Sequence, residues 1–590
     1  MASPTPRSTG KPPVRKGPTS SDVITLSYEL ADLPSAQHRA GLAGLVMMME
    51  WLGTLPQADR KGTSRLDHLS RTGVSFTFDG PGLQWLFDGL YASDEEEREE
   101  AQPRRKKNKE ILPPLREHLK EERGKDGKVR QKKVHVYPAV VPRGAMLLAM
   151  DPTRQGRSGV WIKLWRDFVW GVLRGVPAQR EPFEARARNK PTHDGKDLHL
   201  ALAHSPDASV PLPSTYYLGA QAKTAEGVLF RDRARWQLLL HFWPYSAQLY
   251  VPRALDPSDG KSTFDGFAVA IPDVASLADF AAELATSLAQ RSSDTLAYLP
   301  RAAVIDLPVE AALETAARLR RQMSARPSRF DGLVSAYDVF HLRKDGNNVR
   351  VLYSTRIDPT DLVDRYEAIR STCSDPLFVR RRLTNLLEEQ RLARLPPAAR
   401  GDSTVPWYTG FDRDAATVPH DTAFFGSGWF RRDARRAFII ATRANAVTRR
   451  EEEMESRRSG EPTNIDVLVL RMVRDHVRRR VKSKYNLDVD TVRESPSRQK
   501  DLAEAREKVA RDAFLAVRAR TGDDFTEYFA GTIASVPHHL PEPDLTLLMR
   551  HLRDPKLRGD VRTLTLLALS AVAWAPSLEK RTADPNGEAP

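Results

Sequence analysis

The chain has 590 residues, enough for several domains that each bury a core, since one domain takes roughly 100–200 residues. Its single cysteine, Cys373, excludes an intramolecular disulfide and any zinc or iron–sulfur centre built from cysteines, and fits a reducing, cytoplasmic compartment. Lys and Arg number 91 against 77 Asp and Glu, and this net charge of +14 favours a polyanionic partner through phosphate neutralisation and counterion release.

Residues 1–21, rich in Pro, Ser, Thr, Lys and Arg and without the apolar run of a signal peptide, read as a flexible basic arm. From Asp22 to Tyr28 β-formers on both faces predict a well-covered strand. Ser35 is then placed as the N-cap of a helix over Ala36–Leu52, with Gly41 and Gly44 making two flat spots on one face where another backbone can come close. Val74–Phe78 predicts a second strand, followed by a turn at Asp79-Gly80-Pro81-Gly82 and an amphipathic helix near Leu83–Leu90. The charged stretch at about 94–133 holds an acidic run, Asp94–Glu100, and a basic segment. Blocks of one sign read as a solvated insertion, with nucleic-acid contact as the alternative. Aromatic residues at 160–172 and 236–251 read as core, and Leu277–Gln290 as a helix. Two antiparallel strands are expected on either side of Lys344-Asp345-Gly346-Asn347-Asn348. After the helix Pro376–Leu395, prolines and Gly401 mark a linker, and periodic apolar residues from Val467 to Trp574 predict a helical bundle. The apolar run Leu564–Trp574 is too short for the roughly 20 residues that span a bilayer, so it reads as a buried helix.

The fold class is therefore α+β. A large mixed α/β domain is expected over 22–400, a linker and connecting helix over 401–453, and a helical bundle over 454–590.

The sequence holds no convincing catalytic constellation. Gly260-Lys261-Ser262 resembles the end of a Walker A loop, but Leu255 stands where its first glycine belongs. His193-Asp194 lacks the further ligands of an HD-type metal site, and His538-His539 sits between two prolines without companions. Gly426-Ser427-Gly428 lacks the context of a nucleophile elbow. No cofactor or metal is expected.

The segment Leu30 to Leu45 resembles the opening of the large subunit of type I-B CRISPR complexes of the Myxan subtype. The segment Leu218 to Glu226, continuing to Leu240-His241-Phe242-Trp243-Pro244 and Tyr250-Val251-Pro252, is similar to the family's middle block, and Tyr528 to Pro537 to its late block. The resemblance implies a subunit that sits at the 5′ handle of the CRISPR RNA, reads the protospacer-adjacent motif in duplex DNA and helps open it. It implies repeated backbone subunits as partners, and a separate helicase-nuclease, or recruited transposition proteins, to act on the bound DNA. A small subunit made from an internal start is also implied, and Met454, after Glu451-Glu452-Glu453, is the place the sequence offers for it. A stand-alone DNA- or RNA-binding regulator and a metal-dependent nuclease are the alternatives.

Gln221 and Lys223 suit a base edge and a phosphate. Lys344, Asn347 and Asn348 sit at a hairpin tip fit to probe a groove, although a turn also wants Asn for backbone reasons. Arg478, Arg479, Arg480, Lys482 and Lys484 form a basic face opposite Val473, Val477 and Val481, suited to tracking a strand or simply solvated. Gln37-His38-Arg39 reads as a helix first turn that caps backbone, with nucleic-acid contact as the rival.

Overall fold

The computed structural model describes residues 19, 22–106, 110–123, 129–151, 159–173, 180–211, 218, 230–255, 262–323, 330, 332–346, 348–396, 404–418, 422–425, 428–455, 464–488, 492, 496–535 and 540–575. The chain forms two compact units, one of residues 1–251 and 266–360, the other of 252–265 and 361–590.

In the first unit, β1 (Ile24–Glu29) leads into α1 (Ala36–Gly53), which starts at Ser35, whose side chain accepts from the His38 amide. Strands β2 (Ser64–Leu69) and β3 (Gly73–Phe78) complete a sheet of order β1-β3-β2. The residues expected to make a turn at Asp79 instead begin α2 (Gly80–Leu90). Asp79 caps it through the Gly82 amide, and Pro81 lies in its first turn, where a missing N–H costs nothing.

The charged stretch departs from expectation. It forms β4 (Ser93–Glu100), β5 (Arg116–Arg123) and β6 (Val129–Pro142), an antiparallel sheet of order β4-β6-β5. The like-charge runs are brought beside opposite charges: Lys133 of β6 pairs with Glu117 of the adjacent β5 at 2.6 Å, while Arg116 and Lys120 of β5 reach over β6 to Glu97 and Glu99 of β4 at 2.5 and 2.6 Å. Such cross-strand pairs favour the ladder where an isolated block would repel itself.

The helices α3 (Ala145–Met150), α4 (Val160–Gly171), α5 (Arg180–Ala187) and α6 (Asp194–His204) come next, then β7 (Ser209–Pro211), β8 (Arg231–Arg233), α7 (Ala234–Leu239) and α8 (Trp243–Ser246). The aromatic residues here are core, as their spacing predicts: Trp165 is buried against Tyr245 and donates to the Pro244 carbonyl, and Phe168 packs on Trp243. Gly41 and Gly44 do let a backbone come close. A Cβ on either would overlap the carbonyl oxygen of Leu239 or Phe242, and Ser246 donates to the Ala40 carbonyl at 2.7 Å beside them.

Strands β9 (Gln248–Leu255) and β10 (Ser262–Phe264) precede β11 (Phe267–Val274) and α9 (Leu277–Ala289). Three two-residue strands, β12 (Thr295–Leu296), β13 (Leu299–Pro300) and β14 (Val304–Ile305), lead to α10 (Glu310–Gln322). The hairpin β15 (Val334–Asp345) and β16 (Asn348–Ile357) then completes a sheet in which β11 lies between β9 and β15, and β16 is at the edge. β11 is buried along almost its whole length, with α1 and α10 packed on it.

Among its described residues the second unit is helical apart from the 252–265 arm, where β10 pairs with the end of β9 and the Arg253 carbonyl accepts from Arg380 at 2.6 Å. Its helices are α11 (Val363–Thr372), α12 (Pro376–Ala393), α13 (Phe411–Thr417), α14 (Thr422–Phe425), α15 (Trp429–Glu455), α16 (Ile465–Tyr485), α17 (Pro496–Arg518), α18 (Gly522–Tyr528), α19 (Glu542–Arg553) and α20 (Pro555–Ala573). The stretch 401–453, expected as a linker and connecting helix, carries α13, α14 and most of α15. Phe411 and Phe430 meet Phe378, and Phe424 and Phe425 meet Phe514 of α17. Leu564 to Ala573 is a buried helix as expected, with α15, α16 and α17 around it. No helix among the described residues is long and apolar enough to cross a membrane.

Candidate nucleic-acid interface

On α16 the apolar residues Leu468, Val469, Met472, Val473, Val477 and Val481 are buried, which turns Arg478, Arg479, Arg480, Lys482 and Lys484 to solvent. Their charges are not equally free. Arg478 and Lys482, one turn apart, share Asp488 at 3.5 and 2.8 Å, and Lys484 lies 3.9 Å from Asp512. Arg479 and Arg480 have no acidic partner among the described residues.

Two neighbours extend this face beyond what helical spacing shows. Tyr528, half-buried at the end of α18, lies under the Arg520 guanidinium at 4.6 Å, and burial raises its phenol above the ordinary range while Arg520 and Arg480 oppose that rise. Arg506 of α17 is half-buried, and its pKa is lowered by burial first and then by the like charges of Arg435 and Arg478. Cations that depress one another are stabilised by an anion placed among them. The contributing residues come from several helices and the turn that carries Arg520 and have no common spacing, so no sequence pattern announces them; only Tyr528 was visible, as part of a family block.

In the first unit the predicted hairpin is present and longer than expected. Lys344 faces Val349 and Asp345 faces Asn348 across its tip, where Gly346 takes a left-handed conformation (φ +60°). Lys344 and Asn348 are exposed, and Arg350 pairs with Asp345 at 3.1 Å. A register shift between His341 and Leu342 bulges β16 and leaves Val351, Leu352 and Tyr353 exposed on the edge strand. Apolar side chains beside amide and cationic ones suit both groove probing and base stacking.

Gln37, His38 and Arg39 are structural. Gln37 accepts from the Leu218 amide at 3.1 Å, while His38 bridges Ser35 at 2.8 Å and Asp232 at 3.0 Å. Arg39 donates to the carbonyls of Leu30 and Leu33 and to Asp273. Gln221, Lys223 and Asn347 lie outside the described residues, as do Gly260, Lys261, Gly426, Ser427 and His538-His539. His193 is an exposed residue before α6, and no group of three or more His, Cys, Asp or Glu among the described residues is placed to hold a metal ion.

No curated protein matches the chain. Residues 63–329 match the family model for the Type I-B CRISPR Cas8b N-terminal domain, and residues 334–572 match the one for the Type I-B CRISPR Cas8b C-terminal domain. Together the two models take in nearly the whole chain, with the hairpin and the basic face of α16 both inside the second, and the chain therefore belongs to the Cas8b family, the large subunits of type I-B CRISPR Cascade complexes.

Proposed function

We propose that the chain reads the protospacer-adjacent motif in duplex DNA, contacts the 5′ handle of the CRISPR RNA and stabilises the R-loop in antiviral defence or RNA-guided transposition. The observation that supports nucleic-acid contact is the open pair Arg479 and Arg480, exposed on α16, with Arg480 near Tyr528 and Arg520 over its ring. Cations of this kind hold phosphate, and a ring beside them can stack on a base of an unpaired strand. Guide pairing supplies the sequence specificity, and the protein reads a short motif and the backbone, by analogy with another RNA-guided effector class. In this reading the chain is a cytoplasmic binding subunit and not an enzyme. It works with repeated backbone subunits, while a separate helicase-nuclease cuts or transposition proteins insert. Copurification with those subunits and a CRISPR RNA tests it; a lone homodimer on a palindrome would favour the stand-alone regulator.

Changing Arg479 and Arg480 to Ala should weaken every target alike and flatten the salt slope by about 0.9 for each duplex phosphate that the variant no longer neutralises. Changing Asn347 and Asn348, or Gln221, to Ala should instead re-rank motifs, each good base contact being worth about 1–3 kcal/mol. Binding to a motif library at several salt concentrations separates the two. An unchanged ranking removes the hairpin and Gln221 from the reading surface.

A second product starting at Met454 would hold 137 residues (590 − 454 + 1). It would begin in the last turn of α15 and keep α16 to α20, but lack Phe424 and Phe425, which cover Phe514. It should therefore be less stable alone than in the complex. Intact-mass measurement of the purified complex should show this species and its loss on Met454→Leu; its absence from the unmodified complex sinks the idea.

A further inference from the structure

Away from the hairpin, the first unit has an open cleft of about 370 Å³ between α2 and the segment that joins α5 to α6. That volume is near the lower end of the range for ligand pockets, about 300–1,000 Å³, and admits one ring system with its attached groups rather than a folded peptide. Trp85 of α2 lies on it, only partly buried, and makes no ring contact or hydrogen bond among the described residues. Trp51, at the end of α1, is likewise without a ring partner among the described residues, but five other tryptophans of the unit are engaged. Trp161 lies under Arg291, Trp165 on Tyr245, Trp170 on Phe183, Trp236 under Arg233 and Trp243 on Phe168.

The rim is cationic. Lys61, Lys190 and Lys196 line the cleft, and none has an acidic partner among the described residues. Among the described residues its one carboxylate, Asp88, is already occupied: it accepts from Gln84 at 3.0 Å and Thr192 at 3.4 Å and pairs with Arg186 at 3.6 Å. Three positive charges are thus left over. The wall is also fixed in advance of any ligand. The Gln84 side-chain oxygen accepts from the Gly195 and Lys196 amides at 3.0 and 3.3 Å, and a Cβ on Gly195 would strike the Gln84 backbone, so α6 is seated tightly on α2. A preorganised wall spares a ligand the cost of ordering it.

An open aromatic face beside unpaired cations is the chemistry that accepts a nucleobase and its phosphates, base on ring and phosphate on ammonium. We propose that this cleft takes a single nucleotide of an unpaired nucleic-acid strand, its base against Trp85 and its flanking phosphates on Lys61, Lys190 and Lys196. The proposal deepens the nucleic-acid reading above and rests on it. An acidic peptide would satisfy the lysines but make no use of the indole face.

The test uses the full-length chain and measures binding of four probes: an unpaired oligoribonucleotide, the matching oligodeoxyribonucleotide, a free nucleoside monophosphate and a glutamate-rich peptide. Trp85→Leu should weaken at least one oligonucleotide roughly tenfold without changing its salt slope, and Trp85→Phe should restore most of the loss. The double variant Lys190→Gln, Lys196→Gln should weaken the same probe and lower its salt slope by roughly 0.7 for each lysine that touches phosphate. Which oligonucleotide responds identifies the strand. Wild-type binding of both oligonucleotides by the Trp85→Leu and double-lysine variants overturns the proposal, and so does a response confined to the monophosphate or the peptide. Should Trp85→Leu fail to fold, the surface lysine pair and Trp85→Phe still decide. Assembly of each variant with guide RNA and backbone subunits is scored separately. A wild-type chain that never assembles defeats the Cascade reading, whereas intact assembly with unaffected probes defeats only the cleft.

Discussion

Replacing Asp273 with alanine should cost the first unit about 2–4 kcal/mol, because it leaves two guanidinium groups without the carboxylate they share. Asp273 sits on β11 with its side chain 5% exposed; one oxygen accepts from Arg39 at 2.5 Å and the other from Arg356. Arg356 is half exposed and also reaches Asp338 at 3.2 Å, and Arg39 keeps its bonds to Leu30 and Leu33, so the loss falls short of a fully buried pair. Burial alone would raise the Asp273 pKa, but the bonds from Arg356 and Arg39 outweigh it and hold the carboxyl below its ordinary range. A folded-state pKa below the unfolded one means that the contribution is complete above the unfolded value, near 3.9, and is lost as pH falls through the folded value. Asp338, raised by burial, titrates in the opposite sense, so the comparison must be between chains. The gap between wild type and Asp273→Asn, read by hydrogen exchange of β11 and α1 amides, should be constant above about pH 5 and close below about pH 4. A gap that persists in acid would assign the loss to packing.

Gly41→Ala and Gly44→Ala set two effects of opposite sign against each other. In a free helix alanine is favoured over glycine by roughly 0.5–1 kcal/mol. Here the new methyl would overlap the backbone carbonyl oxygen of Leu239 at the end of α7 or of Phe242 just before α8, which cannot swing aside as a side chain can. Overpacking of this kind costs typically about 1–3 kcal/mol and should win, with the double variant worse than either. Gly53, in the same helix, has open space where its Cβ would be. Gly53→Ala should be neutral or stabilising, so thermal melts of the three chains separate propensity from collision. A loss at Gly53 as large as at Gly41 would refute the close-approach account.

Strand β1, helix α1 and the β15–β16 hairpin were legible because their apolar residues, caps and turn glycine state their own periodicity. Strand β2 and the sheet of β4, β5 and β6 were not. The strands β4, β5 and β6 carry charged residues on both faces, met by pairs such as Lys133 with Glu117, and β2 alternates few apolar residues, so neither shows the apolar period that marks a strand. The basic side of α16 followed from the spacing of its valines. That Asp488 occupies Arg478 and Lys482 while Arg479 and Arg480 stay open depends on a chain turn after the helix, which no spacing encodes. Lys61, Trp85, Lys190 and Lys196 belong to separate segments, and only the seating of α6 on α2 brings them to one cleft.

The path of the chain sets a limit on dissection. The second unit takes residues 252–265 from between two strands of the first, and the second family model opens at residue 334, on strands β15 and β16 that finish the first unit's sheet. No single cut therefore yields two intact pieces. A break near residue 332 strips β15 and β16 from β11, and one near residue 360 strips the arm whose Arg253 carbonyl receives Arg380. Gene fusion or exchange between relatives at either point would pass on an unfinished sheet or a missing arm, so the two halves are expected to be inherited, expressed and degraded as one polypeptide.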